Sequence, residues 1–205
     1  MEPQMNTPWG RSDSVTEIAD GITRVTTASH GGIRLSRERN DRMPGCFRNR
    51  NNETRAGWYE EDCEWAMCAL VFAEEFKQAT GDDGIAEEAR KTVRTWFPDE
   101  YEIFSGETLR PEDSHIRGQQ VFHAEHANDL VVVSAVGDWH ENVPTGMVGV
   151  IATVGGSRRP GVERRQFLVP ETEYQQRNRH GFVIDPDRHE AFDWDAPAQA
   201  GGPTA

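Results

Sequence analysis

The sequence predicts an α+β protein with a mostly antiparallel sheet, built from an N-terminal meander plus C-terminal strands around a central helical segment. Three observations carry this. Short strand-like runs punctuated by turn residues fill the chain up to Ser36. Helix-period apolar residues dominate from Glu60 to Phe104. Apolar, largely β-branched runs return from Leu130 onward. Strands, then helices, then strands segregate the two element types rather than alternating them as a parallel sheet would require. A chain of 205 residues buries enough surface to fold without staples. The expectation is a single domain over 1–191 and a disordered tail over 192–205, since Ala196–Ala205 contains no large apolar residue.

Element by element, Val15–Ala19, Ile22–Thr27 and Ile33–Ser36 read as short strands. Asp20-Gly21 between the first two is the dipeptide of a type I′ hairpin. His30-Gly31-Gly32 is expected to form a second tight turn. Arg37–Arg55 is polar, holds Pro44 and Gly45, and reads as a long loop with a single helical turn. Glu60–Ala79 is expected to be one helix: four carboxylates open it, complementing the positive end of the dipole, and Trp65–Ala73 is apolar at every position, so it should be buried. Asp83 is the expected cap of the next helix, which keeps Ile85, Ala89, Val93 and Trp96 on one face and pairs Glu87 with Lys91. Pro98 stops it and opens Asp99–Phe104, closed by Gly106. Gln119–Asn128 is a weaker helix. Leu130–Val136 reads as a central strand, followed by Met147–Val154, Arg165–Val169 and Gly181–Ile184.

Charge is unevenly distributed. The net charge is −13. Residues 1–59 carry nine basic and seven acidic residues (+2), residues 60–113 five and sixteen (−11), and residues 114–205 eight and twelve (−4). Such a field repels nucleic acid, so direct nucleic-acid binding is not expected, and basic partners are attracted. No apolar run is long enough to span a membrane, and Met1–Ala19 has no signal-peptide core. Three cysteines without a C-x-x-C pair exclude a cysteine zinc site and a disulfide framework, and point to a cytoplasmic protein. No cofactor is implied.

Several groups could carry chemistry. His123 and His126 are three apart on a helix, but lack the zincin spacing and read as surface or capping histidines. Asp185, Asp187 and His189 alternate, yet Asp-Pro-Asp is an ordinary turn. Gly155-Gly156-Ser157-Arg158-Arg159 can offer amides and guanidinium forks to phosphate, but matches no phosphate-loop pattern and reads as a hairpin tip. Cys68 falls in the apolar run and should be inert. Cys63 is surrounded by acids that oppose thiolate formation. The most informative constellation is His30 with Glu60, Glu61 and Asp62. Paired glycines after His30 permit close approach to the backbone, and a carboxylate at hydrogen-bond range can orient an imidazole as general base.

Thr7-Pro8-Trp9-Gly10, Ser29-His30-Gly31-Gly32, Trp58-Tyr59-Glu60-Glu61-Asp62-Cys63-Glu64-Trp65 and Gly181-Phe182-Val183-Ile184-Asp185-Pro186 together resemble a family of small proteins carried by bacterial plasmids, integrated elements and phages. The resemblance implies an accessory protein of a mobile element that counters host defence. It supplies no catalytic residue. With the charge distribution, it leads to the expectation of an acidic inhibitor that binds the basic groove of a host nucleic-acid-targeting defence complex. Glu74, Glu75, Asp82, Asp83, Glu87, Glu88, Asp99 and Glu100 are its expected contact residues. The alternative is a small hydrolase or group transferase using His30 with a carboxylate of Glu60–Asp62.

Overall fold

The computed structural model describes residues 4–48 and 57–193. The chain divides into two compact units, residues 1–117 and 118–205, a division that falls inside the stretch expected to be one domain. The fold is α+β with antiparallel sheets, as expected, but each unit has its own sheet rather than sharing one.

In the first unit, β1 (Asn6–Thr7) and β2 (Gly10–Arg11) form a small ribbon. β3 (Ser14–Ala19), β4 (Ile22–Thr26), β5 (Gly31–Leu35) and β6 (Trp58–Glu60) form a four-stranded antiparallel sheet in sequence order. Ala19 pairs with Ile22 across Asp20-Gly21, so the hairpin forms where its dipeptide sits. Only Gly21 has positive φ (76°), so the turn is not the expected type I′, which needs positive φ at both residues; the register shifts between Glu17 and Ala19 instead. The second turn is shifted from its expected place. Gly31 and Gly32 lie inside β5, paired with Thr26 and Val25, and the turn is closed by Thr27, whose N–H donates to the His30 carbonyl at 2.7 Å. The polar stretch after β5 holds two short helices, α1 (Arg37–Asp41) and α2 (Gly45–Arg48), rather than one turn. Its remainder, 49–56, lies outside the described residues.

The helix expected over Glu60–Ala79 is divided. Glu60 ends β6, residues 61–64 turn, and the helix resolves into α3 (Trp65–Val71) and α4 (Ala73–Thr80). Two local forces explain this. Tyr59 pairs with Ile33, and the Glu61 N–H donates to the Gly31 carbonyl, so the sheet takes the backbone that a first helical turn would need. Phe72, at φ −114° and ψ 45°, closes α3 and opens α4 while its ring stays buried beneath the guanidinium groups of Arg39 and Arg42. The next helix, α5 (Ile85–Trp96), buries Ala89 and Val93. Its entry is shaped by Asp82, which accepts the Gly84 N–H at 2.7 Å, not by Asp83. Glu87 pairs with Arg90 instead of Lys91. Pro98 opens α6 (Pro98–Ser105), and Gly106 ends it in the left-handed conformation. The helices cover one face of the sheet, giving a core of Ile22, Ile33, Leu35, Tyr59, Met67 and Phe76 among others.

α7 (His115–Glu125) precedes the second sheet, whose strands are β7 (Leu130–Val136), β8 (Met147–Val154), β9 (Arg165–Pro170), β10 (Val183–Ile184) and β11 (Glu190–Ala191). The short helix α8 (Glu171–Tyr174) follows β9. Sheet order is β10-β7-β8-β9-β11, antiparallel throughout. β7 is central only in part: β10 pairs with Leu130 and Val131 alone, and Ser134 and Ala135 are exposed. The core here comprises Leu130, Val148, Val150, Ala152, Phe167, Val169 and Ile184. Of the expected tail, Phe192 still donates to the Gln166 carbonyl, and residues from 194 onward lie outside the described residues.

Candidate functional site

Three sequence blocks of the first unit meet at the end of its sheet. β5 follows His30, β6 ends at Glu60, and the ribbon of β1 and β2 presents Trp9. Trp9 packs edge-on against Trp58, with ring centroids 5.8 Å apart, and Arg34 lies over the Trp58 ring. Gly31 and Gly32 make this convergence possible. A methyl group on Gly32 would fall within 2.9 Å of the Trp9 ring and would also collide with the Tyr59 carbonyl; one on Gly31 would collide with the Glu61 carboxylate. The paired glycines therefore admit neighbouring parts of the same chain, where the sequence suggested an approaching ligand.

Side-chain ligand atoms of His30, Glu60 and Glu61 lie within 4.8 Å of one another. The backbone of each is fixed. His30 donates its N–H to the Thr27 hydroxyl at 3.1 Å and accepts the Thr27 hydroxyl proton at 2.8 Å. Glu60 donates its N–H to the Glu64 carboxylate at 3.1 Å, and one of its own oxygens accepts the Asp62 N–H at 2.8 Å. Asp62 thus orients Glu60 through its amide, while its carboxylate stands outside the cluster. His30 and Glu61 are exposed and Glu60 is half-buried, so water and solutes reach all three.

Glu61 also lines a cleft of about 370 Å³ between the sheet and the helices. Its apolar wall is Ile18, Ile33, Trp65, Phe76 and Ile85; Arg24 and Glu17 supply charge. A one-sequence reading misses this cleft because its lining comes from strands and helices far apart in the chain. The alternation that leaves Arg24 opposite Ile33 on β5 was the available signal.

The other candidates resolve as follows. His126 bonds Asp129 at 2.8 Å, and both His126 and His123 pack on the Phe122 ring, so they serve the helix end. The Asp185 side chain accepts the Asp187 N–H, and His189 Nδ1 accepts the Asp185 N–H, forming a turn. The amides of Gly155, Gly156 and Ser157 are taken by the carbonyls of Asp129, Thr153 and Val154, as at a hairpin tip. Burial pushes the Cys68 thiol well above its ordinary range. Burial, then the charges of Asp62, Glu60 and Glu64, also raises Cys63. Among the acidic contact candidates, Glu75 pairs with Arg39, Asp83 with Lys77, Glu87 with Arg90 and Asp99 with Arg117. Asp82 is engaged in its turn, Glu100 is half-buried, and Glu74 and Glu88 are exposed.

The first unit is thus an α+β module with an imidazole–carboxylate cluster at the mouth of a partly apolar cleft. The chain belongs to the family defined by a domain of unknown function (DUF7007), whose model matches residues 2–127. That span contains the blocks around Trp9, His30 and Glu60 and ends before the block around Asp185. No curated protein and no solved structure matches the chain. Among the described residues, no helix is long and apolar enough to cross a membrane.

Proposed function

We propose that the chain is a small hydrolase or group transferase whose centre is His30 with Glu60 and Glu61, acting in the cytoplasm on a small molecule seated in the adjoining cleft. The observation that carries this reading is the convergence of these three side chains beside a cleft that Glu61 itself lines. The centre activates a water or hydroxyl for attack. The apolar wall holds the substrate body, and Arg24 receives a polar or anionic group.

The interaction reading, a mobile-element inhibitor of a defence complex with a basic groove, stands second. Four of its eight carboxylates are neutralised by arginine or lysine within the chain, which lowers what they offer a partner.

The test is hydrolysis of a panel of small acyl and phosphoryl esters by the full chain, with His30→Gln and Glu61→Gln alongside. At least one substrate should be turned over, and each variant should lower kcat/KM by about a hundredfold or more, the usual scale of a lost acid–base group, at unchanged melting temperature. Turnover that survives both substitutions, or none across the panel, would remove this centre as an active site.

A further inference from the structure

We infer that His30, Glu60 and Glu61 form a binding site for one divalent transition-metal ion, with zinc or manganese chemistry. The inference rests on the same three residues as the proposed activity and specifies how that centre works. One imidazole nitrogen and two carboxylate oxygens come from segments thirty residues apart in sequence, which the β5–β6 pairing brings together.

Ligand atoms about 2.0–2.2 Å from a shared ion lie at most about 4.4 Å from each other. The observed limit of 4.8 Å is a fraction of an ångström wider, within reach of a rotamer adjustment at exposed side chains. Two adjacent carboxylates repel one another, and a cation between them reverses the sign of that interaction.

The mixed donor set points away from calcium and magnesium, which take oxygen ligands, and toward first-row transition ions. The arrangement around the ligands fits that role. The Glu60 oxygen is held by the Asp62 amide, as outer partners hold metal-binding carboxylates. A side chain at Gly31 would displace the Glu61 carboxylate. Three protein ligands leave a position for water, which a bound ion acidifies into a nucleophile. That water is the one the proposed activity needs, and it would face the cleft through Glu61.

The test uses Mn²⁺ alone with the chelator-stripped full chain, because zinc would also bind free thiols. Electron paramagnetic resonance of unbound Mn²⁺ gives stoichiometry and affinity. One ion per chain is expected, with binding weakened about tenfold or more in His30→Gln and in Glu61→Gln. Glu38→Gln, an exposed helix carboxylate outside the cluster, should leave binding unchanged. This control separates a built site from diffuse attraction to a chain of net charge −13. Circular dichroism verifies that the variants fold, and paramagnetic broadening of the His30 ring resonance in the unsubstituted protein gives an independent reading.

Equal Mn²⁺ binding by the wild type and both cluster variants, or no stoichiometric binding, would overturn the site. Ester turnover by metal-free protein without Mn²⁺ binding would also overturn it, while leaving His30 as a direct general base. Site-specific binding with no turnover on any substrate would uphold the site and count against the activity.

Discussion

Gly32→Ala tests whether the meeting of Trp9, β5 and β6 is built on the absence of a side chain. The new methyl group would lie within 2.9 Å of the Trp9 ring, and its other close neighbour is the Tyr59 carbonyl. Trp9 can yield, because it sits on a two-stranded ribbon with few residues holding it. The Tyr59 carbonyl cannot move far, because β6 is paired with β5 on either side of the contact, Glu60 with Gly32 and Tyr59 with Ile33. Forcing a methyl group into packed structure costs about 1–3 kcal/mol. Displacing Trp9 also loses its edge-on contact with Trp58, about 0.5–1.5 kcal/mol for such a pair. The sum is about 2–4 kcal/mol, and at about 2–4 °C per kcal/mol for a chain of this size the melting temperature should fall by about 5–15 °C. Thermal unfolding followed by tryptophan fluorescence is the assay, and the folded variant should emit at longer wavelength as Trp9 becomes wetter. Gly45→Ala is the matched control: it opens α2, has open space around it, and should change stability by less than about 1 kcal/mol. Equal melting temperatures and emission maxima for Gly32→Ala and the wild type would refute the reasoning.

Two further outcomes are expected. Burial raises the Glu75 carboxyl, but its backbone hydrogen bond, the bond to Arg39 and the charges of Arg39 and Arg42 outweigh this and hold it below the usual carboxylate range. Its contribution is therefore present above the ordinary glutamate value and is lost as pH falls through the depressed one. Glu75→Gln should destabilise the protein by about 1 kcal/mol at neutral pH and by progressively less under acid, as read from urea unfolding at a series of pH values. Val150→Asp places a charge at a fully buried position of β8 and should destabilise by several kcal/mol, whereas Val132→Asp, at a half-buried position, should cost clearly less; a comparison of melting temperatures checks the order.

Local chemistry made parts of this structure legible. Asp20-Gly21 between two alternating runs marked a hairpin because Gly21 accepts the positive φ its turn needs, and Gly106 ends α6 with the same freedom, whereas Asp83-Gly84, without a strand before it, leads into a helix. Residue type singled out His30 and the acids near residue 60 as groups able to carry chemistry, but that His30, Glu60 and Glu61 meet, without Asp62, follows from the pairing of β5 with β6, which residue type does not encode. What residue pattern could not reveal was competition. Glu60 and Glu61 have excellent chemistry for a helix start, but Tyr59 and Gly31 claim the same backbone for the sheet. Phe72 fits an apolar helix, yet its backbone breaks one. Two of the ion pairs that occupy acidic candidates, Arg39 with Glu75 and Arg117 with Asp99, join residues 36 and 18 positions apart, spacings no local rule connects.

The incomplete covering of β7 has a consequence for how the protein behaves in a crowded solution. Beyond Val132, whose amide is taken by the Phe182 carbonyl, the strand has a sheet neighbour on one side only among the described residues. A bare strand margin is a template for another chain, and repeated templating is how fibres begin. Here the register shifts between Val132 and Ser134, which bends the margin, and Arg158, Arg177 and Arg179 line the hollow beside Val133, Ser134 and Ala135. A second copy approaching edge to edge would bring its own three guanidinium groups against these, a charge repulsion that works against strand-to-strand addition at this margin.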